Sequence, residues 1–139
     1  MNESLTRLHR FLLWFTIFPG IVFALGFVLA PVEFQALLGL PAPDVAAIRA
    51  VGGFLFGSIV GAALSLRSNK WSEVWITTAY LATWNIINTV GLGLGILTGS
   101  ASPALLPNTI ITFVCGFGFA YVLWQRRSVR VNQRQTQGV

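Results

Sequence analysis

Four stretches of this chain run for about twenty residues with almost no charge: Phe11–Ala30, Ala46–Leu66, Val74–Leu97 and Leu105–Trp124. Only the second holds an ionised side chain, Arg49, in its first turn. A helix rises ~1.5 Å per residue, so about 20 apolar residues cross the ~30 Å hydrocarbon layer of a bilayer. None of the runs alternates polar with apolar positions, which is what a barrel strand would require. Composition removes the other classes. Charged residues make up 9% of the 139, against about 25% in soluble domains. So few charges cannot cover a small globule, whose surface is large relative to its core. A soluble enzyme and a disordered chain are thereby excluded, and with Cys115 as the single cysteine so is a disulfide scaffold. The expectation is an all-α integral membrane protein. It comprises one four-span domain over residues 1–124 and a basic, polar, Gln-rich tail over 125–139, read as frayed or disordered chain.

Punctuation falls between the runs. Pro31, Pro41 and Pro43 bracket the first connection, and Asp44 stands where a cap for the second helix belongs. The second connection is Arg67–Glu73, and the third, Thr98–Pro103, ends on Ser102 before Pro103, a cap-then-proline helix start. Short links make successive helices antiparallel neighbours, hence an up-down-up-down four-helix bundle. Within the first connection, Pro31–Leu40 reads as a short interfacial helix, with Phe34, Leu37 and Leu38 toward lipid and Glu33 and Gln35 toward water. Pro19-Gly20 is expected to break and kink the first helix near its middle. Arg7 and Arg10 ahead of an apolar run also fit a signal peptide, but the run exceeds the usual h-region, so it is taken as a retained anchor.

Charge placement orients the bundle. Arg7, Arg10, Arg67, Lys70, Arg126, Arg127, Arg130 and Arg134 fall on one side of a four-span path, and Arg49 alone on the other. Basic loops stay in the cytoplasm, which puts both termini inside a multi-pass protein of the cell inner membrane or another internal membrane. Trp14, Trp71, Trp75 and Trp124 cluster at that same edge, as headgroup anchors do. The net charge of +5 is read as topogenic charge facing anionic lipid, with no nucleic-acid partner.

Three groups of residues stand out within the spans. Gly53, Gly57 and Gly61 repeat every fourth residue, and small residues let backbones approach where lipid offers no hydrophobic drive. They fit a seam inside the bundle or a contact with a second copy or a partner subunit. Asn85 and Asn88 share a face of the third span with Trp84 adjacent and Tyr80 a turn below. An amide in hydrocarbon needs a partner, so Tyr80, Trp84, Asn85 and Asn88 mark either interhelical hydrogen bonds or a candidate ligand pocket. Arg49, with Asp44 and Glu33 beside it, fits an outer-face ion pair that pins the first connection. His9, the only histidine, is placed outside the spans, no carboxylate lies mid-span, and no metal site, phosphate loop or Ser–His–Asp set can be assembled. No catalytic constellation is expected from this chain alone.

The segment Ala30-Pro-Val-Glu-Phe-Gln-Ala-Leu-Leu-Gly-Leu-Pro-Ala-Pro43, followed by Ile48-Arg-Ala-Val-Gly-Gly53, resembles the DoxX-like family of small four-helix bacterial membrane proteins. The resemblance implies a four-helix membrane fold and, through relatives linked to quinone-coupled sulfur oxidation, a non-catalytic subunit of a quinone-linked oxidoreductase. Two further functions are open from the residues themselves. One is a structural or accessory subunit that packs through glycine-rich faces against itself or a larger membrane complex. The other is a binder or carrier of a small apolar ligand (a quinone, lipid or carotenoid) held between helices.

Overall fold

The computed structural model describes residues 4–40 and 44–137, with side chains to Arg127. Pro41, Pro43 and the side chains of Arg130 and Arg134, all used in the sequence reading, lie outside the described residues. The elements are helices α1 (Arg7–Leu29), α2 (Pro31–Leu37), α3 (Val45–Ser68) and α4 (Trp71–Leu97), a single 3₁₀ turn at Pro103–Leu105, and helix α5 (Leu106–Gln137). Among the described residues there is no strand beyond one isolated bridge, Ser4 to Lys70. Four of the helices are long and apolar enough to cross a membrane. Phe18, Leu29, Ile76, Ile87 and Leu97 all stand exposed on the outside of the bundle, a surface that suits hydrocarbon and not water.

The ends of the helices follow local chemistry. Thr6 caps α1 by accepting from His9 N at 3.1 Å, which starts the helix a turn before the apolar run does. Asp44 caps α3 through Ala46 N at 2.9 Å, and Ser102 caps the 3₁₀ turn through Ala104 N, both as expected. Asn69 ends α3 in the left-handed conformation at φ 54°, and its side-chain Oδ1 accepts from Leu5 N at 3.3 Å and Arg10 Nη2 at 2.6 Å. The connection between α3 and α4 therefore shrinks to Asn69 and Lys70, bordered by an exposed Lys70–Glu73 pair at 3.4 Å.

Three expectations about these elements need correction. The first span is not broken at Pro19, because α1 is helical throughout. An interrupted helix would expose several backbone groups to lipid, whereas one proline costs a single bond. The tail does not begin as loose chain after Trp124, since α5 continues to Gln137. No glycine or proline falls between those residues, and Gln and Arg are good helix formers. The short helix α2 exists, but Gln35 is buried within it and Phe34 turns onto α1, edge-on to Phe23 and Phe27. Gly26 makes the room, for a β-carbon there would lie 2.5 Å from the Phe34 ring.

In the packing, α1 lies chiefly on α3 and α4 chiefly on α5, with lighter α1–α5 and α3–α4 contacts closing the ring. Small residues set both main seams. A β-carbon on Gly52 would meet Ala24 O at 3.2 Å and Val28 at 2.7 Å, and one on Gly116 would meet Ile86 N at 3.0 Å. The core between the four helices holds Leu12, Leu13, Leu81, Cys115, Phe119 and Val122.

Candidate functional site

The four helices do not close completely. Between them lies a cavity of about 120 Å³. Helix α1 contributes Thr16, Pro19 and Phe23; α3, Leu55, Ser58 and Ile59; α4, Trp84, Asn85 and Asn88; and α5, Asn108, Thr112 and Cys115. Pro19 thus leaves the helix intact and faces the cavity. Of the four residues read from the sequence as a pocket, Trp84, Asn85 and Asn88 line it. Tyr80 does not. Its ring runs nearly parallel to Trp84 at 6.5 Å, and its hydroxyl meets Ser58 Oγ at 3.2 Å on the outer side of the α3–α4 seam.

Hydrogen bonding around the cavity is mostly local. Thr16 donates to Leu12 O, Ser58 to Phe54 O and Thr112 to Thr109 O, so each hydroxyl's single proton goes to its own helix. With the Thr16 proton taken, the Cys115 thiol is the donor across the 3.8 Å contact to Thr16 Oγ1. Thr89 and Thr112 meet at 3.0 Å and tie α4 to α5. Asn85 Nδ2 donates to Leu81 O at 2.7 Å and Asn88 Nδ2 to Trp84 O at 2.8 Å. Asn108, in the first turn of α5, makes no side-chain hydrogen bond to a described residue. The sequence held a signal for it: an amide inside an apolar run, just as informative as the Asn85–Asn88 pair. Thr16, Ser58 and Thr112 carried no such signal, because hydroxyls that bond their own helix are ordinary in membrane spans.

The glycine repeat and the ion pair are placed differently from the simplest expectation. Gly53 and Gly57 face open space, with nothing within 4 Å of a β-carbon at either, and only Gly61 touches a neighbouring helix, through Thr77. Successive helical residues are turned by roughly 100°, so the face packed on α1 is that of Gly52, one residue away. Ala50, Gly53, Phe54, Gly57 and Tyr80 instead border a shallow outer groove. Arg49 pairs with neither Asp44 nor Glu33, and the one ion pair among the described residues is Lys70–Glu73. Five residues along a helix is roughly 140° around it, outside the i,i+3 and i,i+4 positions that meet, and Asp44 is engaged as a cap.

A second buried cluster occupies the opposite end. His9, expected outside the spans, is the third residue of α1 and is fully buried. Its ring stands edge-on to Trp71 and Phe119, at 5.8 and 5.9 Å. Thr78 gives its proton to Val74 O, so the 3.0 Å contact to His9 is a donation from Nε2–H, which leaves Nδ1 as a buried acceptor without a partner. Arg126 stacks over Trp71 at 5.4 Å and donates to Ser4 O. Trp71 is therefore core and not a headgroup anchor, while Trp14, Trp75 and Trp124 are exposed. Among the described residues no group of three His, Cys, Asp or Glu side chains could hold a metal. No protein-family model, no curated protein and no solved structure matches this chain.

Proposed function

We propose that this chain is a membrane protein that binds a small, ring-sized molecule in the cavity between its four spans. The observation that carries this reading is Asn85: 8% exposed, lining the cavity, with a side-chain oxygen that accepts no hydrogen bond from any described residue. That oxygen is not sealed in, so it stays open to an occupant able to pair with it, and such a hydrogen bond is worth more in a water-poor interior than in water. The volume of about 120 Å³ compares with an engineered apolar cavity of about 150 Å³ that takes up benzene. Asn88 and Asn108 are only partly buried, so a molecule with a lipid-like tail can extend out past them. Native mass spectrometry of the protein released from mild detergent tests the reading. One bound small molecule per chain is expected, and it should be lost in the cavity-filling variant Asn88→Phe. A bare polypeptide mass, with no ring compound stabilising the fold, would refute it.

The groove along Ala50, Gly53 and Gly57 supports a second reading, an accessory subunit or homo-oligomer that packs through α3. Gly57→Leu should then change the detergent-solubilised mass or release a co-purifying partner, and an unchanged mass and composition would remove this reading. For topology we propose the up-down-up-down order with both termini in the cytoplasm. The Ser4–Lys70 bridge and the Arg126 contacts with Ser4 and Trp71 support it by gathering the start of α1, the α3–α4 link and the membrane exit of α5 at one end. The bias of Lys and Arg toward that end agrees. Kinship with DoxX-like proteins is likewise a proposal, resting on the first connection, where α2 carries the motif.

A further inference from the structure

Building on the binding reading above, we infer that the occupant is a hydrogen-bond donor, a ring that carries a hydroxyl group, such as a phenol-like head group. The reason lies in which half of each amide remains free. A backbone carbonyl 2.7–2.8 Å away can be met only by the nitrogen of a carboxamide, since two bare oxygens repel. The orientations of Asn85 and Asn88 are thereby fixed, and each turns its oxygen away from its own helix. Neither oxygen is sealed in, for the buried orphan atoms among the described residues belong to His9 and Gln35. The open space these asparagines share is the cavity.

The hydroxyls add to the same bias. With their protons committed to Leu12, Phe54 and Thr109 carbonyls, Thr16, Ser58 and Thr112 have only lone pairs to offer. The remaining donors among the lining residues are the second N–H of Asn85 and of Asn88, the amide of Asn108 and the indole N–H of Trp84. A hydroxyl group can answer both kinds, donating to an asparagine oxygen and accepting from a neighbouring N–H. An ether or ketone of the same shape can only accept, and would leave the Asn85 carbonyl orphaned. A hydrocarbon would satisfy neither.

The test is a ¹⁹F NMR titration of 4-fluorophenol and 4-fluoroanisole into the full-length protein in nanodiscs, with empty nanodiscs to subtract partitioning into lipid. The phenol is expected to saturate with a Kd about tenfold below that of the ether, the worth of one well-made hydrogen bond. The gap should close in an Asn85→Leu/Asn88→Leu variant. Equal affinities in the wild-type protein would overturn the donor requirement while leaving the cavity a binding site. No saturable binding of either compound would overturn the binding reading and this inference together. The wild-type comparison decides the matter even if the double variant does not fold.

Discussion

Replacing Gly116 with alanine should loosen the bundle, and the same change at Gly57 should not. A β-carbon at Gly116 would sit 2.9 Å from Ile86 Cγ1, 3.0 Å from Ile86 N and 3.2 Å from the Asn85 carbonyl carbon. Two of these are backbone atoms of α4, so relief requires α4 and α5 to separate by a few tenths of an ångström. Overpacking of this kind costs about 1–3 kcal/mol. At Gly57 the added carbon meets nothing within 4 Å. Both sites are helix interiors and both gain about 1 kcal/mol of helix propensity from glycine to alanine. That gain cancels when the two variants are compared, leaving a difference of about 1–3 kcal/mol from the clash alone. Titration of helical circular dichroism with SDS in mixed micelles measures it, and light scattering on the same samples establishes that the chain is monomeric. Gly116→Ala should also weaken phenol binding, because the displaced backbone carries Asn85. If Gly57→Ala destabilised the monomer as much as Gly116→Ala, the helix pairing described above would be wrong.

Gln35 is buried with both ends of its amide unpartnered, so Gln35→Leu should raise stability by about 1–3 kcal/mol, the usual cost of such an orphan, and a drop in the same SDS titration would contradict the packing of α2. Asn69→Ala should cost about 1–2 kcal/mol, because alanine pays a penalty in the left-handed conformation. Asn69→Gly should cost less, because both changes lose the contacts with Leu5 and Arg10 and only alanine adds the backbone penalty, and the reverse order would contradict the left-handed end of α3.

The fold class was legible because the free energy that decides it is local. Whether Phe11–Ala30 or Val74–Leu97 can cross hydrocarbon depends on its own length and polarity, and on every backbone group finding a partner inside its own helix. The same locality made Asp44 and Ser102 readable as caps. Asn85 and Asn88 could be singled out because a carboxamide in an apolar run is conspicuous wherever its face points. Their surroundings could not be read. The hydroxyls of Thr16, Ser58 and Thr112 join the site only through the way α1, α3 and α5 are turned.

The chain by itself determined the number of spans, their approximate limits, the asymmetric distribution of basic residues and the presence of buried amides. Tertiary structure decided which faces meet. Within lipid there is no hydrophobic preference to bring one apolar face rather than another to a partner, so pairing follows small differences in shape. That is why Gly52 and Gly116 form the seams while the more regular repeat of Gly53 and Gly57 faces outward. The same fit buries His9 against Trp71 and Phe119, and the space left where four helices fail to close became the cavity.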